Sequence, residues 1–211
     1  MFSFNHLFLL VIFIIFLYTC LKITKNLLPY SYTIEKVICA FFILEIVFEQ
    51  VYLIYMGGFS FLSSLPISIS NVTCIMCISI LYFKNYQWFD LFFSWSLICA
   101  FGEIVFFEHI PFNYPDTLYF LSLASKCMLL FANIYLVEVK KLRFQTIPYK
   151  KNIRYSLMYF AFILVINTIT NANYTYFLSN TNPLSVFIFI GATSLIYKLN
   201  HHLNQEEEYN L

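Results

Sequence analysis

Apolar residues along this chain occur in seven long runs, which short stretches containing proline, glycine or charged residues separate. Each run approaches the roughly 20 residues that an α-helix needs to cross a bilayer. A backbone in lipid must satisfy its own hydrogen bonds, so such runs are expected to be helices. The pattern predicts an all-α membrane protein, one polytopic domain over residues 1–211. Its seven predicted spans cover residues 4–21, 34–56, 61–83, 87–107, 117–137, 155–177 and 184–199.

The basic residues favour one orientation of these spans. Eleven of the twelve lie at the C-terminal end or in the first, third and fifth loop regions, which share one side of a seven-span bundle. The N-terminus and the second, fourth and sixth loops contain none. Lysine and arginine are enriched in cytoplasmic loops, so we expect the N-terminus outside and the C-terminus in the cytoplasm.

Composition excludes several classes of protein. Hydrophobic residues make up 61% of the 211 residues and charged residues only 11%, about half the share usual in a soluble domain. The net charge of +1 offers no basic surface for nucleic acid. We expect an integral protein of a plasma membrane, with a bacterial source favoured. Cys74 and Cys77 form a CxxC pair without a second pair or a nearby histidine, so we expect no metal site and no cofactor.

Ionisable residues inside predicted spans are the strongest functional signal, because they are costly in lipid. They are Glu45, Glu49, Glu103 and Lys126. Three carboxylates beside one lysine would bind a cation or keep one carboxylate protonated, since like charges repel strongly at low dielectric. The alternative is a lysine paired with one glutamate for structural reasons.

Uncharged polar residues strengthen this signal. With the orientation above, most polar residues within the spans fall in the outer half of the bundle, which suggests a polar cavity that opens outward. Pro66 is expected to kink the third span and widen it near the serines. The alternative is that these side chains only join helices. The candidate binding residues are Glu45, Glu49, Ser68, Glu103, Asn167, Asn171 and Asn173.

A family resemblance rests on the order and spacing of five segments, Leu44–Phe61, Leu65–Ser70, Phe89–Ala100, Leu123–Val137 and Asn171–Leu178. They resemble the YwaF-like family of bacterial seven-helix integral membrane proteins. That family is similar to eukaryotic membrane acyltransferases that remodel phospholipid acyl chains. The resemblance implies a membrane lipid, or another small hydrophobic or amphipathic molecule, as the ligand.

The chain departs from the family at the residues that would carry chemistry. Where the family has Leu-Pro-Leu-His-Leu-Cys, this chain has Ser68 and Ser70 in place of histidine and cysteine. Lys126 stands where the family has a second histidine. A cysteine–histidine pair suits acyl transfer, because histidine generates the thiolate that carries the acyl group.

Three hypotheses follow from these substitutions. In the first, which the sequence favours, the protein binds a lipid or small molecule in the family's cavity and has lost catalysis. In the second, it is an acyltransferase or lipid hydrolase in which Ser70 is the nucleophile and Lys126 its base. In the third, it is the substrate-binding component of a small-molecule transporter. The second fails on geometry if Ser70 and Lys126 lie far apart.

Overall fold

The computed structural model describes residues 11–12, 15–16, 18–20, 22–23, 26, 28–60, 64–105, 117–143, 149–170 and 189–196. Every regular element among them is helical, which confirms the all-α prediction. The long helices are α1 (Ser31–Tyr55), α2 (Ile69–Tyr82), α3 (Phe89–Val105), α4 (Thr117–Glu138) and α5 (Tyr149–Thr170). Short 3-10 turns precede α1 at Leu28–Tyr30 and α3 at Tyr86–Trp88. Residues 189–196 and the described residues between 11 and 23 are also helical, and residue 26 lies in a turn.

Breakers in the sequence set several of these boundaries. α1 follows the turn that contains Pro29 and ends before Gly57, whose φ of +70° suits glycine better than any L-residue. α2 and α4 end differently, because lysines take the left-handed position there, Lys84 at φ 56° and Lys141 at φ 55°. In both cases the next amide donates back into the last turn of the helix, from Asn85 N to Ser79 O and from Leu142 N to Leu136 O.

The third predicted span differs most from its helix. Its apolar run starts at Phe61, but α2 starts at Ile69 and has only 14 residues. Pro66 therefore precedes the helix and does not kink it. Proline also disfavours helical geometry at the preceding residue, Leu65. The Ser68 side chain caps the new start by accepting a hydrogen bond from the Asn71 N–H. At a rise of 1.5 Å per residue, α2 is about 21 Å long, shorter than the roughly 30 Å hydrocarbon core.

Within the described residues, three helices are long and apolar enough to cross a membrane, over Leu28–Tyr55, Thr117–Glu138 and Lys150–Thr170. Large apolar side chains cover the outside of two of them. Leu44 on α1 and Leu164 on α5 are each 67% exposed, as expected for helices that face lipid. These helices identify a membrane protein.

α5 starts six residues before its predicted span. Its first turns carry Lys150, Lys151 and Arg154, and these charged residues lower the mean hydropathy, so the apolar pattern does not include them.

The main core lies between α1, α2, α3 and α4. Each contributes fully buried side chains, including Phe42, Ile80, Phe92 and Leu136. α5 packs against α3 through a second cluster around Trp95, whose indole N–H donates to Ser156 Oγ at 3.0 Å. In this arrangement α1, α2 and α4 contact one another, and all three helices contribute to the candidate site.

Candidate functional site in the helix bundle

Ser70 and Lys126, the two candidate catalytic residues, are in direct contact. Ser70 lies in the first turn of α2 and Lys126 near the middle of α4. The Lys126 ammonium donates a hydrogen bond to Ser70 Oγ. Only 4% of Lys126 is exposed, whereas Ser70 is half-buried. The pair therefore meets the geometric condition for a nucleophile and its base, which require hydrogen-bond reach.

Glu45 lies beside this pair, on the adjacent helix α1. It is buried, it accepts a hydrogen bond from Cys74 Sγ at 3.7 Å, and it is hydrogen-bonded to Ser125. Ser125 Oγ in turn lies 3.8 Å from Cys74 Sγ. Lys126 is close enough to Glu45 for a direct electrostatic attraction. Five side chains from three helices thus form one buried polar cluster: Ser70, Cys74, Ser125, Lys126 and Glu45.

Two further candidate residues lie around the start of α2. Glu49, one turn beyond Glu45 on α1, accepts a hydrogen bond from Asn71 Nδ2 at 3.3 Å. Ser68 caps α2 through the Asn71 N–H, also at 3.3 Å. Asn71 therefore connects both residues to the helix end that holds Ser70. For Ser68 this contact gives a structural role that the sequence pattern did not predict.

A lipid-facing groove of about 440 Å³ borders the cluster. Its described walls are apolar side chains of α1 with Leu121 of α4, and Glu45 is the one ionisable residue among these described lining residues. Leu121 precedes Ser125 by four residues, so both lie on one face of α4. The other lining residues are Phe41, Leu44, Val47, Phe48 and Val51. The groove gives a route from the apolar surroundings of the helices to the Glu45 carboxylate.

The remaining candidate binding residues are not brought into this cluster by any described contact. Asn167 is buried on α5, one turn beyond Ile163 on the face that packs towards Ile67. Glu103 belongs to α3, but its side chain lies outside the described part of the structure. Asn171 and Asn173 lie outside the described residues altogether.

Cys74 and Ser125 are the members of the cluster that the sequence analysis did not select. Neither residue type indicates a site by itself, since a small apolar cysteine and a helix serine are ordinary in membrane helices. Their spacing was the available signal. Cys74 follows Ser70 by four residues and so shares its helix face, and Ser125 directly precedes Lys126.

A second charged cluster lies at the opposite end of α2. Glu35, near the start of α1, is only 5% exposed. It forms salt bridges with Lys84 and Lys140, which follow the ends of α2 and α4. Tyr135 Oη also donates to its carboxylate, at 3.1 Å. Glu35, Lys84 and Lys140 belong to the first, third and fifth loop regions of the sequence, and these contacts place all three at the same end of the bundle.

Comparison with known proteins gives one result. The TMEM164 family matches residues 1–201, nearly the whole chain. No curated protein and no solved structure matches. The match agrees with the apolar helices described above, which are long enough to cross a bilayer. The chain therefore belongs to the TMEM164 family, a family of membrane proteins.

Proposed function

We propose that this protein transfers or hydrolyses acyl groups of membrane lipids, with Ser70 as nucleophile and Lys126 as base. The contact between the Lys126 amine and Ser70 Oγ carries this proposal. Substitution of cysteine by serine and of histidine by lysine, relative to the YwaF-like pattern, would by itself suggest lost catalysis. The replacements meet each other in hydrogen-bond geometry, which is what an alternative nucleophile–base pair requires.

The reaction would proceed through an ester on Ser70. Neutral Lys126 takes the proton of Ser70 Oγ as that oxygen attacks the acyl carbonyl carbon of a lipid ester. The ammonium formed then gives the proton to the departing alcohol oxygen of the lipid. A second alcohol or a water molecule releases the acyl group by the reverse sequence. The Ile69 and Ser70 amides, the first two of α2, have no acceptor within their own helix and are suited to stabilise the carbonyl oxygen as it gains charge.

The surroundings support a lipid as the substrate. The groove beside Glu45 is apolar and opens towards the lipid-facing side of α1. Such a surface fits an acyl chain, which already surrounds the protein in a bilayer. Glu45 would hold the Lys126 ammonium during the step in which the lysine carries the extra proton.

The seven-span topology belongs to this proposal too. We propose an outside N-terminus, a cytoplasmic C-terminus and a location in a bacterial plasma membrane, so that the polar cluster opens towards the outer side. The Glu35 cluster supports this arrangement, since it gathers the lysines of the third and fifth loop regions at one end of the bundle.

Binding without catalysis is the second candidate, and the proximity of Glu45 to Lys126 favours it. A carboxylate stabilises a charged lysine, and a charged lysine is no base. In that case the same groove and cluster would hold a lipid or small amphipathic molecule unchanged.

Lipid turnover tests the proposal. Protein reconstituted in phosphatidylglycerol vesicles is expected to release lysophospholipid, or to exchange acyl chains with an added lysophospholipid. Ser70→Ala and Lys126→Met are each expected to lower the rate about 100-fold or more, since both remove a group that takes part in bond formation. Ser79→Ala, on the same helix more than two turns away, is the matched control and is expected to keep the rate. Equal rates in all four proteins, or no turnover with lipid retained by each of them, would contradict catalysis and favour binding.

A further inference from the structure

The proposed chemistry leaves the one thiol of the buried cluster unused. Cys74 lies one helical turn beyond Ser70 on α2, about 6 Å along the same face. Its thiol donates to Glu45 Oε2 at 3.7 Å and contacts Ser125 Oγ at 3.8 Å. Cys77, three residues further on, is equally buried but packs within the apolar core of the bundle. Cys74 is therefore the α2 cysteine that contacts a carboxylate among the residues described.

Glu45 connects this thiol to the groove. It is a wall residue of the apolar groove and a direct partner of the Cys74 sulfur. An acyl chain in the groove would bring its ester carbonyl to the level of Glu45, whose carboxylate contacts Cys74 Sγ. A carboxylate between a thiol and a lipid-facing groove is costly in a membrane helix. A chemical role for Glu45 would explain why the chain has a carboxylate at this position.

We propose that Cys74 is a second acyl-carrying nucleophile, with Glu45 as its base. Glu45 takes the thiol proton while the sulfur attacks the carbonyl carbon of an oxygen ester. The new carbon–sulfur bond forms, the carbon–oxygen bond breaks, and the departing oxygen takes the proton back. The product is a thioester on Cys74, and no oxidant or reductant is needed.

The oxygen ester can come from two sources. One is a membrane lipid, whose alcohol then leaves. The other is the acylated Ser70, so that the acyl group moves one helical turn along α2 and the thiol proton held by Glu45 passes to Ser70 Oγ. Both sources give the same thioester. The inference rests on the lipid substrate of the proposed function, but it does not require that Ser70 reacts first.

Neutral hydroxylamine separates the two acyl linkages, because it cleaves thioesters readily and oxygen esters slowly. The whole chain, in phosphatidylglycerol vesicles that contain an alkyne-tagged acyl phospholipid, would be labelled, denatured and coupled to a dye. Part of the label on the wild-type protein is expected to be lost with hydroxylamine. Cys74→Ala is expected to abolish this labile part, whereas Cys77→Ala, a buried cysteine on the same helix, keeps it. Glu45→Gln is expected to slow labile labelling at least tenfold.

The remaining variants keep the result interpretable. Cys74→Ser preserves the size of the side chain and is expected to convert labile label into resistant label or to lose it. A labile label that persists in Cys74→Ala, or a wild-type protein without any labile label, overturns the inference. Resistant label that is lost in Ser70→Ala tests the proposed function separately. In that variant, a surviving labile label assigns the acyl source to the lipid, and a lost one assigns it to Ser70.

Discussion

At the scale of single residues, Ser68 and Ser70, two serines next to each other in the pattern of the Leu65–Ser70 segment, have different positions. Ser70 contacts Lys126 inside the bundle, whereas Ser68 holds the start of α2. Pro66 disfavours helical geometry at Leu65, and Ser68 caps the helix that starts three residues after the proline. A residue chosen from the sequence as a ligand contact can thus be explained by helix capping.

Ser68→Ala is expected to destabilise the protein by about 1 kcal/mol, the usual cost of a lost N-cap. Ser68→Asn is expected to restore most of that stability, because asparagine caps helices as well as serine does. Thermal unfolding in mild detergent measures both. If Ser68→Asn keeps stability but loses lipid turnover, then Ser68 contacts the substrate and capping is not its main role.

At the scale of helices, the Glu35 cluster joins the start of α1 to the ends of α2 and α4. Two lysines and a tyrosine satisfy one buried carboxylate. Removal of one partner leaves that carboxylate less well compensated, which costs more than loss of an exposed pair. The adjacent pair between Lys141 and Glu138 is such an exposed pair, at 3.8 Å.

Lys140→Met is therefore expected to lower stability by about 1.5 to 3 kcal/mol, the range for a hydrogen bond to a charged group. Lys141→Met is expected to change it by less than about 0.5 kcal/mol. The midpoints of thermal unfolding of the two variants, compared in the same detergent, measure the difference. Equal loss in both would mean that Glu35 does not hold these helix ends together.

The sequence predicts these helices unevenly, for physical reasons. Apolar runs bounded by glycine or by polar residues located α1 and α4 within three residues, because length and hydropathy decide such helices. The same runs misplaced the starts of α2 and α5, where local capping and charged first turns decide. For the site, ionisable residues in apolar runs identified Glu45 and Lys126. Nothing in composition identifies Cys74, because its role depends on which helix packs beside it.

At the scale of the whole molecule, the proposed orientation follows from the distribution of lysine and arginine. Alkaline phosphatase is active only outside the bacterial cytoplasm, so it reports the side of a fusion point. Fusions after Gly58 are expected to be active, and fusions after Arg143 are expected to be inactive. Activity of the Arg143 fusion would place the Lys84 and Lys140 end of the bundle outside and reverse the orientation.

We propose that Ser70 carries an acyl group inside the membrane. The most direct test is the intact mass of the protein after purification from membranes and incubation with phosphatidylglycerol vesicles, compared with Ser70→Ala and Ser79→Ala. We expect a covalent acyl increment that resists hydroxylamine in the wild type and in Ser79→Ala, and that is absent from Ser70→Ala. An identical increment in all three proteins, or a lipid that dissociates intact from each of them, would contradict it.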